Sequence, residues 1–169
     1  MTLQTEFAGL AAIVTGGGSG IGLATAQMLA ARGCSVVCLD LDASQVPAPL
    51  TGLACDVAST ANVNQAVAEA AAHMDGIDIV VNNAGIGALG GIADNEDEEW
   101  HRVFDINVLG MKRVTLAALP WLRRSRHASV VNMGSAVASM GLPNRVLYST
   151  TKGAVLSLGS IGDECRMTL

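Results

Sequence analysis

A chain of 169 residues is long enough to bury a sizeable core and too short for two ordinary domains, so a single domain over residues 1–169 is expected. Half the residues are hydrophobic, 15% are charged and 3% are aromatic, which leaves the core to Ala, Val, Leu, Ile and Met and suits a sheet buried on both faces. Ten Lys and Arg against fifteen Asp and Glu give a net charge of −5, which argues against a nucleic-acid partner, and no apolar run is long enough to span a bilayer.

The segment Met1 to Gly9 contains Glu6 and lacks the basic and then apolar order of a secretory signal. Cys34, Cys38, Cys55 and Cys165 have no zinc-like spacing, and the first three lie in or beside apolar runs. Reduced core thiols in a cytoplasmic protein are therefore expected, with no metal site and no membrane partner.

Apolar runs of strand length alternate with helical patterns, the mark of βαβ units in a parallel sheet. In chain order the sequence predicts a strand over Leu10–Thr15, a helix over Gly20–Arg32 closed by Gly33, and a strand over Ser35–Asp40. A strand over Gly52–Cys55 follows, then an Ala-rich helix over Ser59–Met74 with Ser59 as N-cap, and a strand over Ile77–Asn82. From Asp97 to Arg124 the pattern is long enough for two helices or one bent one. The acidic cluster Asp94 to Glu99 stands at its start and Arg123, Arg124, Arg126 and His127 at its end, each suited to the helix dipole there. A fifth strand over Ser129–Gly134 precedes a last helix from about Tyr148 to Leu158, which Gly159 and Gly162 interrupt. Right-handed crossovers then give a Rossmann-type, doubly wound parallel sheet in three layers, of order 3-2-1-4-5. Its ligand crevice lies at the carboxyl ends of strands one and four. His73, His101 and His127 fall near helix ends or on helix surfaces and are expected to be solvated or capping.

Directly after the first strand comes Thr15-Gly16-Gly17-Gly18-Ser19-Gly20-Ile21-Gly22, and directly after it a helix. Glycine is needed in such a turn because it is tight, because the backbone must approach a pyrophosphate closely, and because helix and strand must pack together. The helix N-terminus then offers free N–H groups to phosphate. Gly16, Ser19, Gly20, Ile21 and Gly22 are thus candidate dinucleotide-binding residues. The second strand ends at Asp40, where a carboxylate accepts hydrogen bonds from the adenosine ribose and repels a 2′-phosphate. Ser19 and Leu41, the neighbours that a 2′-phosphate would meet, are uncharged. NAD is expected in preference to NADP.

Tyr148 and Lys152 stand four residues apart on a predicted helix and so share a face. An ammonium beside a phenol stabilises the phenolate, which a general base requires. Taken with the glycine turn, this pair makes the chain resemble the short-chain dehydrogenase/reductase family. The matching motifs run in the family's order over about Leu10 to Leu158: the Thr15 to Gly22 turn, Cys55-Asp56-Val57, Asn82-Asn83-Ala84-Gly85, Asn107 within Asp105 to Leu109, Ser135, and Tyr148-Ser-Thr-Thr-Lys152.

By that resemblance Tyr148 exchanges a proton with the substrate oxygen, Ser135 hydrogen-bonds the same oxygen, and Lys152 holds the nicotinamide ribose. Asn107 positions a water that links Lys152 to solvent, Asp56 and Val57 contact the adenine, and Asn83, Ala84 and Gly85 line the cofactor cleft. The resemblance implies an NAD-dependent oxidoreductase that interconverts an alcohol and a ketone or aldehyde, assembled as a homodimer or homotetramer. Two other readings stay open: an NADP-dependent carbonyl reductase, and a dinucleotide-binding or oligomer-forming protein that turns nothing over. Gly87 to Ala93 and Val137 to Arg145 are expected to line the substrate pocket.

The family pattern ordinarily continues past the Tyr-Lys helix for roughly 60 to 80 residues, at about 30 per strand-bearing unit. Against that pattern the chain lacks the sixth and final strands, the Pro-Gly segment over the nicotinamide and the substrate lid. Its tail Gly159 to Leu169 departs from the amphipathic pattern of the helix before it. Exposed hydrophobic surface and self-association are the expected consequences.

Overall fold

A computed structural model describes residues 5–159 and, as backbone, 167–168. Met1, Gly162 and Cys165 lie outside the described residues.

Six parallel strands form one sheet in the order β3-β2-β1-β4-β5-β6. They are β1 (Ala11–Thr15), β2 (Ser35–Asp40), β3 (Thr51–Ala54), β4 (Ile79–Asn82), β5 (Ser129–Asn132) and β6 (Met167–Thr168). The first five follow the expected 3-2-1-4-5 order. The two-residue β6 adds at the far edge, pairing with Val130 and Val131 of β5. A strand edge presents unpaired N–H and C=O groups, and β6 satisfies those of β5.

Alternation along β1 explains the layering. Ile13 faces one side, packing with Val37, Leu39, Val80 and Val130 against Val63, Val67 and Ala70 of α2 (Thr60–Met74) and Val114, Ala118 and Leu122 of α4 (Gly110–Leu122). Ala12 and Val14 face the other side, packing with Val36, Cys38 and Val81 against Ala26 and Leu29 of α1 (Gly20–Ala31). Because both faces are covered, the strands are continuous apolar runs, and each fully buried Val, Leu or Ile contributes about 1.5–3 kcal/mol. Cys34, Cys38 and Cys55 are free and buried, as expected, and burial pushes each thiol up to about 11.

The long helical stretch resolves into α3 (Asp97–Phe104), a π turn over Asp105–Leu109 and α4, running on without a loop. It is one interrupted helix with Asp97, Glu98 and Glu99 in its first turn. The final helix α5 (Val146–Gly159) packs against β5, α3 and the π turn. A small third cluster of Ala88, Val103 and Leu147 joins these elements, with Tyr148 against it. Among the described residues no helix is long and apolar enough to cross a membrane.

Candidate active site

The turn after β1 is shaped by sterics. Gly16 has φ +63°, and a Cβ there would stand 2.9 Å from Asn83 Nδ2. A Cβ on Gly22 would overlap the Gly16 carbonyl oxygen, so helix and turn can pack this closely only with glycine at that position. Gly20, with φ +52°, has no atom within 4 Å of its Cβ position, and so its backbone faces open space. Ser19, the N-cap of α1, is extended, and the helix carries no acidic residue in its first turn. The amides at this end are available to an anion.

A second loop is laced to this turn. The Thr15 hydroxyl accepts hydrogen bonds from the Asn83 and Ala84 amides, both at 3.0 Å, while Asn83 Nδ2 donates to the carbonyls of Thr15 and Gly16 at 3.0 and 3.2 Å. Asp40, at the end of β2, accepts from the Gly18 amide at 2.8 Å and the Asp42 amide at 3.3 Å. These contacts fix the carboxylate and leave lone pairs on both oxygens. A cleft of about 400 Å³ runs over Gly16, Ser19, Gly20, Ile21, Asp40, Asp56, Val57, Asn83, Ala84 and Gly85. Of the residues predicted to bind cofactor along this half, only Gly22 is missing from the cleft wall, because it is buried beneath the turn. Among the described residues no lysine or arginine lines the cleft. An open glycine cradle, free helix amides and a fixed carboxylate at the end of β2 fit a dinucleotide.

The second half adjoins the first through Ile21, Asn83, Gly85 and Ile86, which line both. It is a cavity of about 520 Å³ walled by Ser135, Tyr148, Lys152, Met133, Gly87, Val137, Leu142 and Arg145. Lys152 is buried, its Nζ donates to the Met133 carbonyl at 2.7 Å, and it stands 5.7 Å from the centroid of the Tyr148 ring. Desolvation lowers the Lys152 ammonium below its ordinary value. Ser135 lies at the cavity wall and also caps a short 3-10 turn over Ala136–Ala138, its hydroxyl accepting from the Val137 amide at 3.4 Å.

Asn107 sits in the π turn and is wholly buried. Its Oδ1 accepts from the Ile86 amide at 2.8 Å, and its Nδ2 donates to the Ile86 carbonyl at 2.9 Å and to the Thr151 hydroxyl at 3.1 Å. It thereby ties the strand-four loop to α5 one residue from Lys152. A π turn displaces the helical register by one residue, a feature common at functional sites.

Four positioning residues were not singled out by the sequence. Thr151 relays Asn107 to the Tyr148 carbonyl at 2.8 Å, and Asn62 accepts from the Asp56 amide at 2.6 Å. Arg113 pairs with Asp105 at 2.6 Å and donates to the Val57 carbonyl at 3.2 Å, and the Thr15 hydroxyl serves as described above. Thr15 and Thr151 stand inside motifs already visible in the sequence, but which groups the four residues meet is set mainly by contacts between segments. His73, His101 and His127 are exposed, and no cluster of three metal-ligating side chains occurs among the described residues.

Comparison with known proteins agrees with this geometry. The short chain dehydrogenase family matches residues 10–161. The chain is 37% identical over 154 residues to the short-chain reductase protein NovJ of Streptomyces niveus, covering 85% of this chain and 58% of that protein. It is 35% identical over 165 residues to the L-fucose dehydrogenase of Bos taurus, covering 94% and 61%. Among solved structures, the ligand-free aldohexose dehydrogenase of Thermoplasma acidophilum is similar with a TM-score of 0.87 at 32% identity, covering 92% of this chain and 60% of that one. The chain spans about three-fifths of the length of these relatives.

Proposed function

The chain belongs to the short chain dehydrogenase family, and on that premise we propose that it binds NAD and interconverts a small-molecule alcohol with its ketone or aldehyde. The observation that carries this reading is the joining of two cavities, one over the glycine turn and Asp40, the other holding Ser135, Tyr148 and Lys152. When bound, the nicotinamide would supply the hydride acceptor or donor.

Oxidation of an alcohol removes a hydride from carbon and a proton from oxygen. Tyr148 takes that proton at its phenolic oxygen, and Ser135 donates a hydrogen bond to the same substrate oxygen. In reduction the phenol returns the proton as the carbonyl carbon receives hydride. Lys152, beside the ring, supplies positive charge and an anchor for the nicotinamide ribose. Asn107 holds α5 against the strand-four loop and carries the water path by which the proton leaves. The burial of Lys152 and Asn107 supports the reading, since water excluded from such groups strengthens their electrostatic effect.

Asp40 supports NAD over NADP, because no cation lines the cleft to offset a 2′-phosphate beside its carboxylate. The test is a fluorescence titration of the 169-residue chain with NADH and NADPH, followed by a screen of secondary alcohols with NAD. NADH-selective binding and alcohol oxidation are expected. NADPH selectivity would overturn the cofactor assignment and favour a carbonyl reductase. NADH binding without any turnover would replace the enzyme reading with a binding one. Asp40→Ala should weaken NADH about tenfold, the loss of one or two charge-assisted hydrogen bonds, and narrow its margin over NADPH.

A further inference from the structure

Arg145 belongs to the wall of the cavity that holds Ser135, Tyr148 and Lys152, and among the described residues no Asp or Glu lines that cavity. Two other arginines, Arg32 and Arg113, pair with Glu6 and Asp105, whereas Arg145 has no carboxylate partner among the described residues. Its one side-chain hydrogen bond is a long one, Nη1 to the Ala88 carbonyl at 3.4 Å. Most of its five N–H donors are therefore uncommitted.

The root of this side chain is rigid. The Gly90 amide donates to the Asn144 carbonyl at 2.9 Å and the Val146 amide to the Gly90 carbonyl at 3.2 Å. The Arg145 carbonyl accepts the first bond of α5, from the Ser149 amide at 2.8 Å. Arg145 thus caps α5 three residues before Tyr148, and the two line the same cavity. Lys152 is buried and assigned above to the nicotinamide ribose, and Arg145 is the other cation at this wall.

A half-buried guanidinium without a counter-ion favours an anion, and its planar fork matches a carboxylate. We infer that Arg145 selects carboxylate-bearing substrates, oxo acids and hydroxy acids, holding the acid group while the carbonyl or hydroxyl meets Tyr148. The inference rests on the proposed oxidoreductase reading for its chemistry, although the anion site itself does not.

The test uses the full 169-residue chain with Arg145→Gln and Arg145→Lys. NADH-dependent reduction is measured on 2-, 3- and 4-oxo acids, each against its methyl ester. Wild type should favour at least one acid over its ester by about tenfold or more in kcat/KM. Arg145→Gln should collapse that ratio toward one, chiefly through KM, and Arg145→Lys should restore part of it. Equal use of acids and esters by the wild type, or a preference that survives Arg145→Gln, would overturn the inference. A second readout needs no turnover: with NAD present, phenylglyoxal modification at Arg145 is followed by mass spectrometry. Acetoacetate should slow it several-fold more than methyl acetoacetate does. If neither compound is reduced but acetoacetate alone protects Arg145, the anion site stands and the oxidoreductase reading falls; equal or absent protection overturns the anion site.

Discussion

The two halves of the crevice are built from different materials. The half over β1 and β2 is made of backbone: glycines at positive φ, the free amides of α1 and a loop laced by Thr15 and Asn83, closed by one carboxylate. The half over β4 and β5 is made of side chains from separate segments: Ser135 after β5, Asn107 in the π turn, and Tyr148 and Lys152 on α5. The first half fails when a Cβ is added. The second fails when a functional group is removed and the framework stays intact.

Tyr148→Phe is the sharpest way to separate them. It removes only an oxygen, so alcohol oxidation should fall by about 10²–10⁴-fold, while NADH affinity stays within about threefold. Weakened NADH binding in Tyr148→Phe would mean that the halves are not separable.

Gly22→Ala tests the backbone half. The new Cβ would overlap the Gly16 carbonyl, and the turn must shift. Overpacking of this kind costs about 1–3 kcal/mol, so NADH affinity should fall by about 10- to 100-fold. Far-UV circular dichroism run alongside distinguishes a displaced turn from a lost fold. Unchanged affinity would show that the close approach is unnecessary.

Asn107→Ala probes the joint between the halves. It leaves the Ile86 amide and carbonyl without their partners in a part-buried place, and an unsatisfied buried group costs about 1–3 kcal/mol. A lower urea midpoint is expected, together with reduced turnover, because α5 loses its tie to the strand-four loop. A stability within about 0.5 kcal/mol of wild type would argue against that tie.

The smallest effect lies in the core beneath both halves. Cys34, Cys38 and Cys55 are raised by burial from an ordinary 9.0 to about 11. Between those values the unfolded chain has lost thiol protons that the native state retains, so their contribution, full below pH 9.0, is lost as pH rises through about 11. Lys152, lowered by desolvation, acts in the opposite sense, its penalty easing as pH rises toward 10.5. From the thiols the urea midpoint should fall across this range. Replacing the three cysteines by Ala should flatten that fall. Native-state alkylation should also be slow at about pH 8, because a buried thiol is a poor nucleophile.

The strand order, the glycine turn, Asp40 and the Tyr148–Lys152 pair were all legible in the sequence, because each is encoded within a few residues. Periodicity separates strand from helix, a run of glycines between a strand and a helix marks a phosphate-binding turn, and a spacing of four places two side chains on one face. Strand ends were less so: Ile77–Asn82 begins at Ile79 and Ser129–Gly134 ends at Asn132, since pairing with neighbours decides where a ladder stops. The π turn at Asn107, the Thr15 lacing, the Arg113 contacts and the open donors of Arg145 were decided by the tertiary structure alone. Each depends on a group many residues away, and no local pattern records which buried donor meets which acceptor. In the fold Ser135 both caps a turn and lines the cavity with Tyr148. Chemistry that lives on one segment can be read from that segment, while chemistry assembled by the crossing of segments exists only once the sheet has brought them together.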